Sequence, residues 1–98
     1  MADADRIDVI GTGNRRVMTI DDPARVRDAL AFLGRFEEGW IEEWTGPKGP
    51  ELDLTFYKNN RQVGEFGIAS NYITVGLLLH RCPEAEITSL AKRLGIPW

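Results

Sequence analysis

The sequence predicts an α+β domain: a single antiparallel sheet, made of an opening hairpin plus three to four further strands, covered on one face by two helices. Three observations lead there. Short β-rich runs are separated by turns rich in glycine and asparagine, and two other stretches repeat apolar residues at the helical i, i+3, i+4, i+7 spacing. The composition, 43% hydrophobic and 28% charged, is that of a chain that folds around a core. At 98 residues it forms one domain, 1–98, and a chain of this mass buries about 65% of its unfolded surface without needing a disulfide or a metal.

Each element has a local reason. Arg6 to Gly11 and Arg16 to Ile20 flank Thr12-Gly13-Asn14, a stretch with the positive-φ residues of a tight hairpin. Asp22 then offers a capping carboxylate and Pro23 suits a first helical position, with Val26, Ala29, Leu30 and Leu33 on one face of a helix to about Arg35. Thr45-Gly46-Pro47-Lys48-Gly49-Pro50 is a loop, because two prolines and two glycines suit neither helix nor strand. Leu52 to Tyr57, Gln62 to Ala69 and Tyr72 to Leu79 read as strands, separated by turns at Asn59-Asn60 and Ser70-Asn71. A last helix runs from about Pro83 to Leu94, with Ile87, Leu90, Ala91 and Leu94 inward, Gly95 as the left-handed cap and Pro97 preventing resumption.

Parity decides which residues share a sheet face. With two-residue loops at both turns, Leu54 and Phe56 fall opposite in face to Phe66, Ile68, Ile73 and Val75, and neither face makes a continuous core. A three-residue loop Lys58-Asn59-Asn60, with Asn60 left-handed and Tyr57 opposite Arg61, shifts the parity by one. Leu52, Leu54, Phe56, Phe66, Ile68, Ile73, Val75 and Leu77 then line the covered face. The open face carries Asp53, Thr55, Tyr57, Glu65, Gly67, Ala69, Tyr72, Thr74 and Gly76. Tyrosine is enriched at protein interfaces, although tyrosine and threonine also fit any solvated sheet face.

Charge narrows the partners. A net charge of −3 argues against a phosphate-binding surface, so nucleic acid is not an expected partner. The acid is concentrated in the middle of the chain: residues 36–65 hold seven carboxylates against Lys48, Lys58 and Arg61. Its densest part is Glu37-Glu38-Gly39-Trp40-Ile41-Glu42-Glu43-Trp44, two indoles among four glutamates. Around an aromatic anchor, such carboxylates suit a basic patch on a protein partner. The start of the chain has neither a basic n-region nor an apolar h-region, and no apolar run approaches the roughly 20 residues that span a bilayer. The expectation is a cytoplasmic protein with no membrane partner.

No catalytic constellation stands out. Gly11-Thr12-Gly13-Asn14 lacks the lysine and third glycine of a phosphate loop. His80 and Cys82 stand two apart and would share a face on an extended segment, but a single His and a single Cys leave a zinc shell incomplete. Glu37, Glu38, Glu42 and Glu43 with Trp40 or Trp44 have the residue types of a glycosidase, yet the chain has little material for the deep cleft that chemistry needs. No metal, cofactor or catalytic residue is expected.

Thr19-Ile20-Asp21-Asp22-Pro23, Gly39-Trp40, Leu54-Thr55-Phe56-Tyr57, Val63-Gly64-Glu65-Phe66-Gly67 and Asn71-Tyr72-Ile73-Thr74-Val75 follow one another in an order that resembles a broad set of small uncharacterised bacterial α+β domains. The same order resembles the helix-on-sheet layout of β-lactamase-inhibitor-protein and TATA-binding-protein type folds. Both of those bind through the open sheet face. The resemblance therefore implies a non-enzymatic protein-interaction module, of immunity or inhibitor type or an assembly subunit, binding through Tyr57, Tyr72, Thr55, Thr74 and Glu65, with Trp40 and Trp44 as a second contact. The alternative is a small-molecule-binding domain with its pocket between the sheet and residues 36–50. Association between copies of the chain is open to either.

Overall fold

A computed structural model describes residues 3–42 and 51–98. Glu43, Trp44 and the loop expected at 45–50 lie outside the described residues. Strands β1 (Arg6–Ile10) and β2 (Arg16–Ile20) form the opening hairpin, helix α1 spans Pro23–Gly34, and a two-residue strand β3 covers Ile41–Glu42. Four consecutive strands follow, β4 (Leu52–Lys58), β5 (Arg61–Ile68), β6 (Tyr72–Val75) and β7 (Leu78–Arg81), and helix α2 (Glu84–Leu94) closes the chain. The seven strands make one antiparallel sheet in the order β2-β1-β4-β5-β6-β7-β3.

The expected class is therefore what the chain adopts, with a larger sheet. Two strands were not foreseen as separate. Tyr72 to Leu79 is not one strand: Gly76, at φ +59, and Leu77 turn the chain between β6 and β7, and Leu77 is 79% exposed instead of lining the core. β3 is too short to carry an alternating pattern and exists only through its pairing with Leu78 and Leu79.

Caps set the start of α1 and the end of α2. The Asp22 carboxylate accepts from the Ala24 N–H at 3.0 Å, with Pro23 first in the helix. α2 ends at Gly95, φ +73, where the Ile96 N–H turns back to the Ala91 carbonyl at 2.9 Å. Val26, Ala29 and Phe32 of α1 and Ile87, Leu90, Ala91 and Leu94 of α2 enter one cluster with Ile7, Val9, Leu54, Phe56, Phe66, Ile68 and Ile73 of the sheet. The Arg35 Nη2 and Glu86 Oε1 atoms, 2.6 Å apart, tie the end of α1 to the start of α2. Among the described residues, no helix is long and apolar enough to cross a membrane.

The shared-face argument holds, but by a different device. Lys58 faces Arg61 across a two-residue turn in which Asn59 (φ +51) and Asn60 (φ +64) are both left-handed, so Tyr57 is not opposite Arg61. The parity is corrected one step further on: Phe56 faces Gly64 and Tyr57 faces Gln62, so Val63 is an extra residue bulged from β5. Beyond it Leu54 faces Phe66 and Leu52 faces Ile68, and the apolar residues of both strands lie together.

Phe66 joins sheet to helix: its ring stacks 5.7 Å from Phe56 and 6.5 Å from Phe32 between centroids, and the residue is 1% exposed. Phe66→Ala should destabilise the domain by about 3–5 kcal/mol, since the vacated space is walled by two other rings. Chemical denaturation checks it, and a loss under about 1 kcal/mol would place the core elsewhere.

Candidate functional site

The helices cover one side of the sheet only, and the register orders the other side into rows. Thr19, Asp8, Thr55 and Glu65 cross β2, β1, β4 and β5; Ile10, Asp53, Gly67, Thr74, Leu79 and Ile41 cross from β1 to β3. Arg6, Tyr57 and Gln62 form a third row, and Tyr72 stands opposite Arg81. The five open-face residues expected from parity, Thr55, Tyr57, Glu65, Tyr72 and Thr74, are thus on this face.

Their surroundings differ. Tyr57 is half-buried because the Arg6 guanidinium lies 4.3 Å over its ring, an arrangement in which the cation meets the negative face of the π system. Arg6 also donates to Asn60 Oδ1 at 2.9 Å, and its Nε lies 3.5 Å from Asp8 Oδ1. Asp8 is 7% exposed and accepts from the Thr19 hydroxyl at 3.0 Å. This end of the face is an internally paired polar network, in which Arg6 Nε has the Asp8 charge beside it but no hydrogen bond. Thr55, buried beside it, is part of the floor rather than a projecting contact.

The centre of the face is more open. Asp53, Glu65, Phe66, Gly67, Thr74 and Gly76 line a depression of about 130 Å³. Partial burial, and after it the neighbouring Glu65 carboxylate, push the Asp53 carboxyl above its ordinary value. Two carboxylates converge over a floor of glycine and threonine, and a cation placed there would relieve their mutual repulsion. The space is smaller than the 300 Å³ or so at which small-molecule pockets begin. Asp53 was legible as an open-face residue but carries no sequence signal as a contact; that comes from its diagonal neighbour across the ladder.

The tryptophan segment lies elsewhere. Trp40 is half-buried against the core and donates from Nε1 to the Phe36 carbonyl at 2.8 Å. Its ring meets His80 edge-on at 5.4 Å. His80 stands opposite Ile73, on the helix-covered side of the sheet, so Trp40 does not join the tyrosine-bearing face. Glu37, Glu38 and Glu42 are exposed, whereas Trp44 and Glu43 lie outside the described residues. The pocket considered between the sheet and residues 36–50 depends on that same stretch.

His80 and Cys82 each have their own partners. The His80 ring nitrogens face the Arg81 and Glu38 carbonyls, and the Cys82 thiol lies 3.8 Å from both the Pro83 carbonyl and Glu86 Oε2. Burial, and then the Glu86 carboxylate, push the Cys82 thiol up to about 11. Among the described residues, no three His, Cys, Asp or Glu side chains gather as a metal ion would require. No family model, curated protein or solved structure matches the chain.

Cys82 should therefore resist a thiol reagent at about pH 8 in the folded protein and react once denaturant is added. Native Cys82 keeps its proton up to about 11, while an unfolded thiol loses it near about 8.5. Between those values the native state binds more protons, so stability should fall as pH rises through that window. Denaturation of parent and Cys82→Ser at about pH 8 and about pH 10 checks it, the serine variant showing the smaller loss.

Proposed function

We propose that the protein is a non-enzymatic protein-binding module, of inhibitor or immunity type or a subunit of an assembly, that engages a basic surface of its partner through the open face of the sheet. One observation carries the reading: both helices lie on one side, so that among the described residues Asp53, Glu65 and Thr74 surround a shallow depression with no layer over it. A flat sheet surface with small residues at its centre admits another protein's side chains. Converging carboxylates favour a lysine or arginine there, because the partner's cation stabilises an Asp53 carboxylate that burial, and then the Glu65 charge, disfavour. Ile41, exposed at the end of the same row, supplies apolar area beside the charge. Tyr57, held by Arg6, and Tyr72 flank this centre. The resemblance to open-face binders points the same way, as an analogy of layout. A cytoplasmic setting, where a single thiol stays reduced, completes the proposal.

Glu65 is exposed and outside the core, so Glu65→Lys should leave unfolding within about 0.5 kcal/mol of the parent. In a complex purified with its partner, the same change should weaken binding by about 2 kcal/mol or more, because it sets a cation against a basic surface. Calorimetry on both proteins reads the two effects separately. A partner that binds Glu65→Lys as tightly as the parent does not use this face.

A further inference from the structure

We infer that the open face binds a second copy of this chain, in a twofold pair in which Arg16 of each copy meets Asp53 of the other. The inference rests on the reading of that face as a binding surface and names one occupant for it. A single row of the sheet carries it. Arg16 on β2 stands opposite Ile10 on β1, and Ile10 stands opposite Asp53 on β4, so a cation and an anion flank an aliphatic side chain at equal spacing. Directly opposed residues share a face, which puts Arg16 on the open side with the other two. The extra residue of β2, Val17, turns the other way: a Cβ on Gly11 would stand 3.2 Å from Val17 and 3.7 Å from Leu52, whose strand partner is Ile68 of the core. Neither charge is spent inside the fold. Among the described residues, the side chains of Arg16 and Asp53 make no ion pair and no hydrogen bond.

Charge selects the symmetry axis. Two open faces meet only about a twofold axis lying in the plane between them. An axis along the row would set Arg16 on its own copy and Asp53 on its own copy, like charge on like charge. An axis along β1, through Ile10, exchanges the two ends of the row. Each arginine then lies over an aspartate, and the two isoleucines meet at the centre. Stacked sheets lie about 10 Å apart, a gap that an arginine and an aspartate close between them. The guanidinium enters the depression that Asp53 and Glu65 line, where two carboxylates receive it.

The other residues on the axis tolerate this arrangement. Asp8 is 7% exposed and already accepts from Thr19, with Arg6 beside it, so it does not confront its own copy bare. Arg6 is folded over the Tyr57 ring. Packed sheets also cross at about 30°, which confines close contact to the surroundings of Ile10 and carries the Arg6 ends apart.

Sedimentation equilibrium of the intact chain, from about 1 μM to about 1 mM, tests the pairing. The parent should dimerise within this range, and association should weaken roughly tenfold between about 0.05 M and about 0.5 M salt, because rim charges are screened. Arg16→Glu and Asp53→Lys should each remain monomeric, since either change sets like charges together twice in a twofold pair. Mixed in equal amounts, the two variants should dimerise with each other, because both contacts of the mixed pair again join opposite charges. Arg16 is exposed on an edge strand, so Arg16→Glu decides the matter if Asp53→Lys does not fold. A parent that is monomeric throughout overturns the inference, as does a dimer that Arg16→Glu leaves intact or a pair of folded, monomeric variants that stay monomeric when mixed. A monomeric parent whose separate partner is still lost with Glu65→Lys keeps the face as a binding surface and removes this pairing alone.

Discussion

The bulge at Val63 stands where two demands on the same hairpin conflict. The Asn59-Asn60 turn, with both residues left-handed, matches the twist of its strands and sets Lys58 against Arg61. Continued without interruption, that register would put Leu54 and Phe56 on one side of the sheet and Phe66 and Ile68 on the other. One extra residue in β5 reverses the alternation, after which both pairs face the helices. The stacking of Phe66 on Phe56 and Phe32, the seating of both helices and the polar character of the open side all follow from that single inserted residue.

The same economy appears at the margins of the sheet. β2 carries its own irregularity: Val9 faces Met18 and Ile10 faces Arg16, so Val17 is extra and the edge bends at its start, next to two arginines. A short, bulged, charged edge discourages pairing with other chains. The opposite margin is guarded by the two residues of β3 and by the segment that His80 holds. The central surface, in contrast, is broad, and among the described residues Asp53 and Glu65 meet there without a cation between them.

What could be read from the residues alone was whatever is decided locally. Asp22-Pro23 and Gly95 mark helix ends because capping depends on neighbours in sequence, and α1 and α2 follow their apolar spacing. Alternation assigned Thr55, Tyr57, Glu65, Tyr72 and Thr74 to one face because the apolar set needed a single side. The device that achieved it was not legible, since Val63 looks like any other strand valine. Val75 to Leu79 concealed a turn because Leu77, though apolar, projects into solvent from the position after Gly76. The Arg6 contact with Tyr57, the Asp53–Glu65 diagonal and the two carbonyls around His80 join residues far apart in the chain, and depend on strand order, which no local pattern encodes.

That strand order has a consequence for synthesis. β1 is the second strand in space and has β4 as its inner neighbour, so the opening hairpin and α1 leave the ribosome before the surface that buries them exists. Strands β5, β6 and β7 each pair with the strand made just before, and close short loops at small entropic cost. Growth of the nascent chain thus orders assembly from the later half backwards, with the amino-terminal hairpin waiting, its apolar side unprotected, until the meander arrives to receive it.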